Sequence, residues 1–150
     1  MDDKRKKLAL GCDHAGFVLK QEIIEWLKSN GLFFHDFGTF SEESANYADF
    51  AHAVAKSVHD GKFERGILIC GSGNGVNMTA NKYPKVRSAL CWNTEIAMLA
   101  RMHNDANIIA LPARYIETEE AVKAVDTFLK TDFEGGRHSI RVEKISQILI

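Results

Sequence analysis

Gly66-Ile67-Leu68-Ile69-Cys70-Gly71-Ser72-Gly73-Asn74-Gly75 is the stretch on which the fold turns. Its first half is wholly apolar, as befits a central parallel strand covered by helices on both faces. Its second half is a glycine-rich turn leading into a short helix. Upstream, Leu8 to Cys12 reads as a first strand and Ala15 to Ser29 as a helix. Val18, Leu19, Ile23, Trp26 and Leu27 line one face of that helix, which Asn30-Gly31 stops. Leu32 to Phe37 is a second strand, and Tyr47, Phe50, Ala51, Val54, Ala55 and Val58 repeat at helical spacing up to Asp60-Gly61. Downstream, Val86 to Cys91 and Asn107 to Leu111 are strands either side of a helix from Thr94 to His103. Thr118 and Ser139 suit the caps of two more helices, the last with Val142, Ile145 and Leu149 on one stripe. Five β-runs with intervening helices predict an α/β fold. It is a three-layer αβα sandwich with a five-stranded parallel Rossmann-like sheet, order 2-1-3-4-5, and a C-terminal helix. No linker or repeat divides residues 1–150, so they read as one domain.

The 150 residues are 45% hydrophobic and 26% charged, with a net charge of −1. That balance suits a globular protein and advertises neither a nucleic-acid nor a membrane surface. Lys4-Arg5-Lys6-Lys7 can be a polyanion patch, but reads more simply as a solvated leader. The first residues lack the apolar core of a signal peptide, and no apolar run approaches the roughly 20 residues of a membrane span. Cys12, Cys70 and Cys91 form no pairing pattern, which points to a reducing cytoplasm. No H-x-x-x-H, H-E or C-x-x-C cluster occurs, so no metal is expected.

In an open α/β sheet, ligands bind outside the carboxyl ends of the strands, where strand order reverses. Gly11-Cys12-Asp13-His14 and Cys70-Gly71-Ser72-Gly73-Asn74-Gly75 follow the two strands that flank this point, and His103-Asn104-Asp105 precedes the fifth strand. The G-x-G-x-G loop matches neither the dinucleotide fingerprint nor the P-loop. Its glycines either make a tight turn or let N–H groups converge on an anion such as an enediolate oxygen. Cys12 and Cys91 read as core fillers. Cys70 is either another or a thiol whose pKa a helix N-terminus lowers from about 8.5, fit to take a proton α to a carbonyl. His103 is either part of a helix cap or a proton shuttle to a sugar ring oxygen. Asp13 and His14 are turn residues or partners in that chemistry. Arg137 and Arg141, four apart, are solvated or form a phosphate clamp.

Together these motifs, with Ala80-Asn81-Lys82, His103-Asn104-Asp105-Ala106-Asn107 and Glu134-Gly135-Gly136-Arg137-His138, resemble type B ribose-5-phosphate isomerases. The wider family includes the galactose-6-phosphate isomerase subunits of lactose pathways. The resemblance runs from the first strand to the final helix. It implies that Cys70 moves a hydrogen between C1 and C2, and that His103 with Asp13 opens the furanose ring. The amides of Gly71, Ser72, Gly73, Asn74 and Gly75, with Asn104 and Ser72 itself, would hold the enediolate oxygens. His14, Arg114, Arg137 and Arg141 would bind sugar and phosphate, and Tyr47 would line the sugar pocket. It further implies homodimers, or dimers of dimers, whose sites combine two chains. Three positions set this chain apart from the family's usual pattern. Asn46-Tyr47-Ala48 stands where Asp-Tyr-Pro is usual, and Val76 stands where one branch has a glutamate base. The function expected is the cofactor-free interconversion of ribose 5-phosphate and ribulose 5-phosphate in the pentose phosphate pathway. The alternatives are the same chemistry on allose or galactose 6-phosphate, or a sugar-phosphate-binding module without chemistry.

Overall fold

Each apolar run becomes a strand of one sheet in the computed structural model, which describes residues 7–150. Lys4, Arg5 and Lys6 of the basic leader therefore lie outside the described residues. The strands are β1 (Leu8–Cys12), β2 (Phe34–Asp36), β3 (Arg65–Cys70), β4 (Ser88–Leu90) and β5 (Ile108–Pro112). The helices are α1 (Phe17–Ser29), α2 (Tyr47–His59), α3 (Asn74–Ala80), α4 (Thr94–Asn104), α5 (Thr118–Lys130) and α6 (Arg137–Ile145), with a 3₁₀ turn at His14–Gly16 before α1. Strand pairing is parallel throughout. Alternate strand residues face opposite layers. Leu10, Ile67, Ile69 and Leu111 pack under α1, α4 and α5, whereas Leu68, Cys70 and Ala110 pack under α2 and α3. The αβα sandwich is the expected one.

Its last two strands exchange places. The order is β2-β1-β3-β5-β4, not 2-1-3-4-5. β5 pairs with β3 from Gly66↔Ile108 to Cys70↔Pro112. The physical reason is burial: β5 is buried along its whole length, while Ser88, Ala89 and Leu90 are only half-buried. The longer apolar run takes the inside position and the short one the edge. Asn81 covers that edge, accepting the Ser88 N–H at 2.8 Å and donating to the Ser88 carbonyl at 2.9 Å. An unpaired strand edge is thereby blunted by one side-chain amide. β1 and β3 remain neighbours, so the crevice expected between their carboxyl ends is retained.

The helix boundaries differ in detail. Neither Thr118 nor Ser139 is a cap. α5 is preceded by Glu117 and α6 by Gly136, neither with a side-chain capping bond. Leu149 lies beyond α6 and is exposed. On α1 the buried stripe is Leu19, Lys20, Ile23, Ile24 and Leu27, while Val18 is exposed. Lys20 displaces Val18 from the inward face because its charge finds partners there. Nζ reaches Asp36 Oδ1 at 2.6 Å and the Thr39 carbonyl at 2.5 Å, with the stem fully buried. Lys20→Met removes the cation and strands the Asp36 carboxylate. It is expected to cost about 3 kcal/mol in a denaturant titration, the low end for breaking a buried pair because Asp36 keeps 19% exposure. A loss below about 1 kcal/mol would mean that Asp36 regains water freely.

Candidate active site

The residues singled out by sequence separate into two groups. The first surrounds Cys70, the last residue of β3, whose side chain is buried on the α2–α3 side of the sheet. The neighbouring end of β1 brings Asp13 beside it, with the Asp13 N–H donating to the Ile69 carbonyl at 3.3 Å. Asp13 is buried and does serve as a turn residue, since Oδ1 accepts the Gly16 N–H at 3.1 Å. That occupies one oxygen of the carboxylate. His14 Nδ1 accepts the Ala45 N–H at 3.1 Å, so the neutral ring carries its proton on Nε2, available as a donor. This bond ties the 3₁₀ turn to the segment that leads into α2.

Tyr47 opens α2 and lies on the glycine loop. A Cβ at Gly75 would stand 2.5 Å from Tyr47 Cε2, so any side chain there would evict the ring. Gly73 is required for a different reason. Its φ of +79° lies in the left-handed region, and a Cβ would meet Leu90 Cδ1 at 2.4 Å. The loop is held by its carbonyls: Cys70, Gly71 and Gly73 accept from Ala113, Arg114 and Asn77. The Asn74 N–H goes to Ser72 Oγ at 3.3 Å, and the N–H groups of Ser72 and Gly73 have no partner among the described residues. Because α3 has only seven residues, donation to an anion rests on these loop amides more than on a helix dipole. The Arg114 guanidinium lies over Gly71 and adds a positive charge.

Cys12 and Cys91 are core fillers, both fully buried in the opposite layer. Burial pushes the Cys12 thiol up to about 11, against the opposing pull of Lys20, and the Cys91 thiol up to about 12. Neither is a thiolate at neutral pH.

The second group lies at the other end of the sheet. α4 runs back from the carboxyl end of β4, so His103 and Asn104 in its last turn sit near the start of β5. There the Asn107 carbonyl accepts the N–H of Gly66, near the start of β3. Five steps along β3 separate that end from Cys70, roughly 16 Å at about 3.3 Å per residue. The cap reading of this segment is correct for Asp105, which is left-handed (φ 47°) and ends α4. The Asn104 carbonyl accepts from Arg87 Nε at 3.1 Å. α6 packs against α4, carrying Arg137 and Arg141, both exposed and without an ion-pair partner among the described residues. A single chain therefore joins Cys70 with Asp13, His14, Tyr47 and Arg114, and His103 with Arg137 and Arg141, but not one set with the other. A cavity of about 480 Å³ borders the second group, lined by Asn81, Arg87, Ser88, Asn104 and Ile145. It does not reach Cys70, so it is not the reaction pocket of an isolated chain.

Two residues of this second group carried no role from sequence. Glu134 Oε2 lies 3.9 Å from His103 Nε2, and Glu134 Oε1 lies 4.0 Å from His138 Nε2. The His103 and His138 rings stack at 4.3 Å with 11° between their planes. The only signal along the chain is the spacing of Glu134 and His138, which does not involve His103. The three side chains bring possible ligand atoms within 4.8 Å of one another. Parallel stacked rings nevertheless share no point lying in both planes, where a metal must sit to meet both nitrogen lone pairs. The arrangement suits ring stacking around one carboxylate, not a cation.

A family model described as ribose/galactose isomerase matches residues 8–145. The chain is 44% identical over 143 residues to ribose-5-phosphate isomerase B of Escherichia coli (strain K12), covering 95% of this chain and 96% of that protein. Among solved structures it is similar to ribose-5-phosphate isomerase B of Clostridium thermocellum, with a TM-score of 0.92 and 48% identity over 94% of this chain and 95% of that one. It is similar also to the Mycoplasma genitalium ribose-5-phosphate isomerase B with bound ribulose-5-phosphate, with a TM-score of 0.90 and 41% identity over 94% of each chain. The motifs, the parallel sheet and these likenesses agree: the chain belongs to the ribose/galactose isomerase family, among the type B ribose-5-phosphate isomerases.

Proposed function

We propose that this chain is a ribose-5-phosphate isomerase, interconverting ribose 5-phosphate and ribulose 5-phosphate through a cis-enediolate. The observation that carries the reading is the Cys70 thiol at the end of the central strand, between buried Asp13 and a loop with undonated N–H groups. Cys70 takes the proton from C2 and returns it to C1. The amides of Gly71, Ser72, Gly73, Asn74 and Gly75, with the Ser72 hydroxyl and Asn104, hold the oxygens that become charged. His103 protonates the ring oxygen while Asp13 accepts the proton of the anomeric hydroxyl, opening the furanose. Tyr47 walls the sugar, and His14, Arg114, Arg137 and Arg141 hold its hydroxyls and phosphate. Arginine suits the last task because its fork binds phosphate oxygens in pairs.

Since Cys70 and His103 lie at opposite ends of one sheet, the working enzyme is a homodimer, or a dimer of dimers, in which each site takes one group from each chain. Residues 1–150 act as one isomerase domain working in the cytoplasm. No helix among the described residues is long and apolar enough to cross a membrane.

The matching family description names galactose as well as ribose isomerases, which favours a six-carbon phosphate as the second reading. Comparing kcat/KM on ribose 5-phosphate, allose 6-phosphate and galactose 6-phosphate separates the two. Ribose 5-phosphate is expected to be preferred at least about tenfold, since one extra carbon unit in a fitted pocket costs about 1–3 kcal/mol. A preference for either hexose phosphate would replace the reading, and turnover of none would leave a binding module.

A further inference from the structure

Buried polar side chains are costly unless something holds them, and most here are accounted for. Lys20, Ser57 and Arg101 are hydrogen-bonded into the scaffold, and Asp13 belongs to the Cys70 group. His138 is different. It is 6% exposed, and its Nε2 is buried with no hydrogen-bond partner among the described residues. What it does have is a face: its ring lies against that of His103, 4.3 Å away and within 11° of parallel. His103 is the more open of the two, with 37% of its side chain exposed against 8% for His138.

We propose that His138 is the positioning residue of the His103 imidazole, a buried flat platform that fixes the plane in which His103 presents its nitrogens to the sugar. The inference rests on the reading of His103 as the ring-opening acid. Proton placement follows from the same geometry. Two stacked imidazoles repel if both are charged, and burial chiefly holds His138 below the ordinary histidine range. His103 from α4 and Arg137 and Arg141 from α6 act in the same direction, while Glu134 opposes them. On the α4 side, Arg101 is engaged with Asp105, Ala106 and Thr131. The charged form of His138 is thus disfavoured, and the more open His103 ring is the one presented to the sugar. The stack leaves His103 with its plane fixed.

Two variants of the full chain separate a platform from mere filling. His138→Phe keeps a flat ring and removes the nitrogens, and His138→Leu keeps apolar bulk and removes the flat face. His138→Leu is expected to lower kcat on cyclic ribose 5-phosphate about 10- to 100-fold, the scale of a small misplacement of a reacting group. KM should move less than about threefold, and His138→Phe should stay within about threefold of the parent in kcat, because the phosphate groups are untouched. Proton exchange on ribulose 5-phosphate, which needs no ring opening, should be preserved in both variants. Equal losses in the two variants, or none in either, would overturn the proposal. The His103 tautomer ratio, read from ¹⁵N shifts, decides it independently of turnover. If His103→Asn leaves cyclic-aldose turnover intact, the acid reading fails. Positioning then still stands if the ratio changes in His138→Leu alone, and falls on any other pattern.

Discussion

Cys70→Ala is expected to lower kcat at least about 100-fold, the usual scale for losing a positioned general base. Binding of ribose 5-phosphate should survive, because the thiol touches neither the arginines nor His14 in the role proposed for them. Isothermal titration alongside steady-state rates would show both effects. The other cysteines are natural controls. Cys12 and Cys91 lie in the opposite layer of the sandwich, with burial raising their thiols to about 11 and about 12. They have no access to the loop at Gly71–Gly75 and no thiolate to offer at neutral pH. Cys12→Ala and Cys91→Ala should lose stability, roughly 1–3 kcal/mol for a small buried group, but not rate per folded molecule. A Cys70→Ala protein that still turned over at near-parental rate would sink the assignment and move attention to the Asp13 carboxylate.

Mixing two impaired proteins should restore activity at subsaturating substrate. Cys70→Ala lacks the base in one group, and Arg141→Ala weakens the phosphate clamp in the other. If each site joins the Cys70 end of one chain to the Arg141 end of its partner, a mixed dimer has one doubly defective site and one intact site. After full subunit exchange at equal amounts, half the dimers are mixed, so about a quarter of the parental sites return. The gain over either parent is then limited only by the residual rate of the two variants. Arg141→Ala by itself should raise KM strongly and lower kcat somewhat, since remote phosphate binding also orients the reacting carbons. Absence of any gain, with exchange verified by mass spectrometry, would place Cys70 and Arg141 in one chain. That would contradict the roughly 16 Å by which β3 separates the ends of the sheet.

Legibility in the sequence followed the range of the interaction. The unbroken apolar run Ile67-Leu68-Ile69-Cys70 announces a strand buried on both sides, and the fold places it at the centre with every residue from Gly66 buried. The glycine loop and Asp13 were legible for the same reason, because each directly follows a strand that ends in the crevice. Even the separation of His103 from Cys70 was implicit in the alternation of strand and helix. A helix that leaves the carboxyl end of a parallel sheet must return the chain to its other end before the next strand.

Three features needed the tertiary structure. The exchange of β4 and β5 depends on which strand pairs with β3, and strand spacing along the chain does not encode that choice. Lys20 has the composition of a surface residue, and only Asp36 and the Thr39 carbonyl, brought together by folding, make its burial tolerable. The stack of His103 on His138 joins residues on different helices through the packing of α6 on α4. Periodicity is a local property and reports which face of an element is buried. Which partner lies across that face is settled only when burial, pairing and charge are satisfied together across the whole chain.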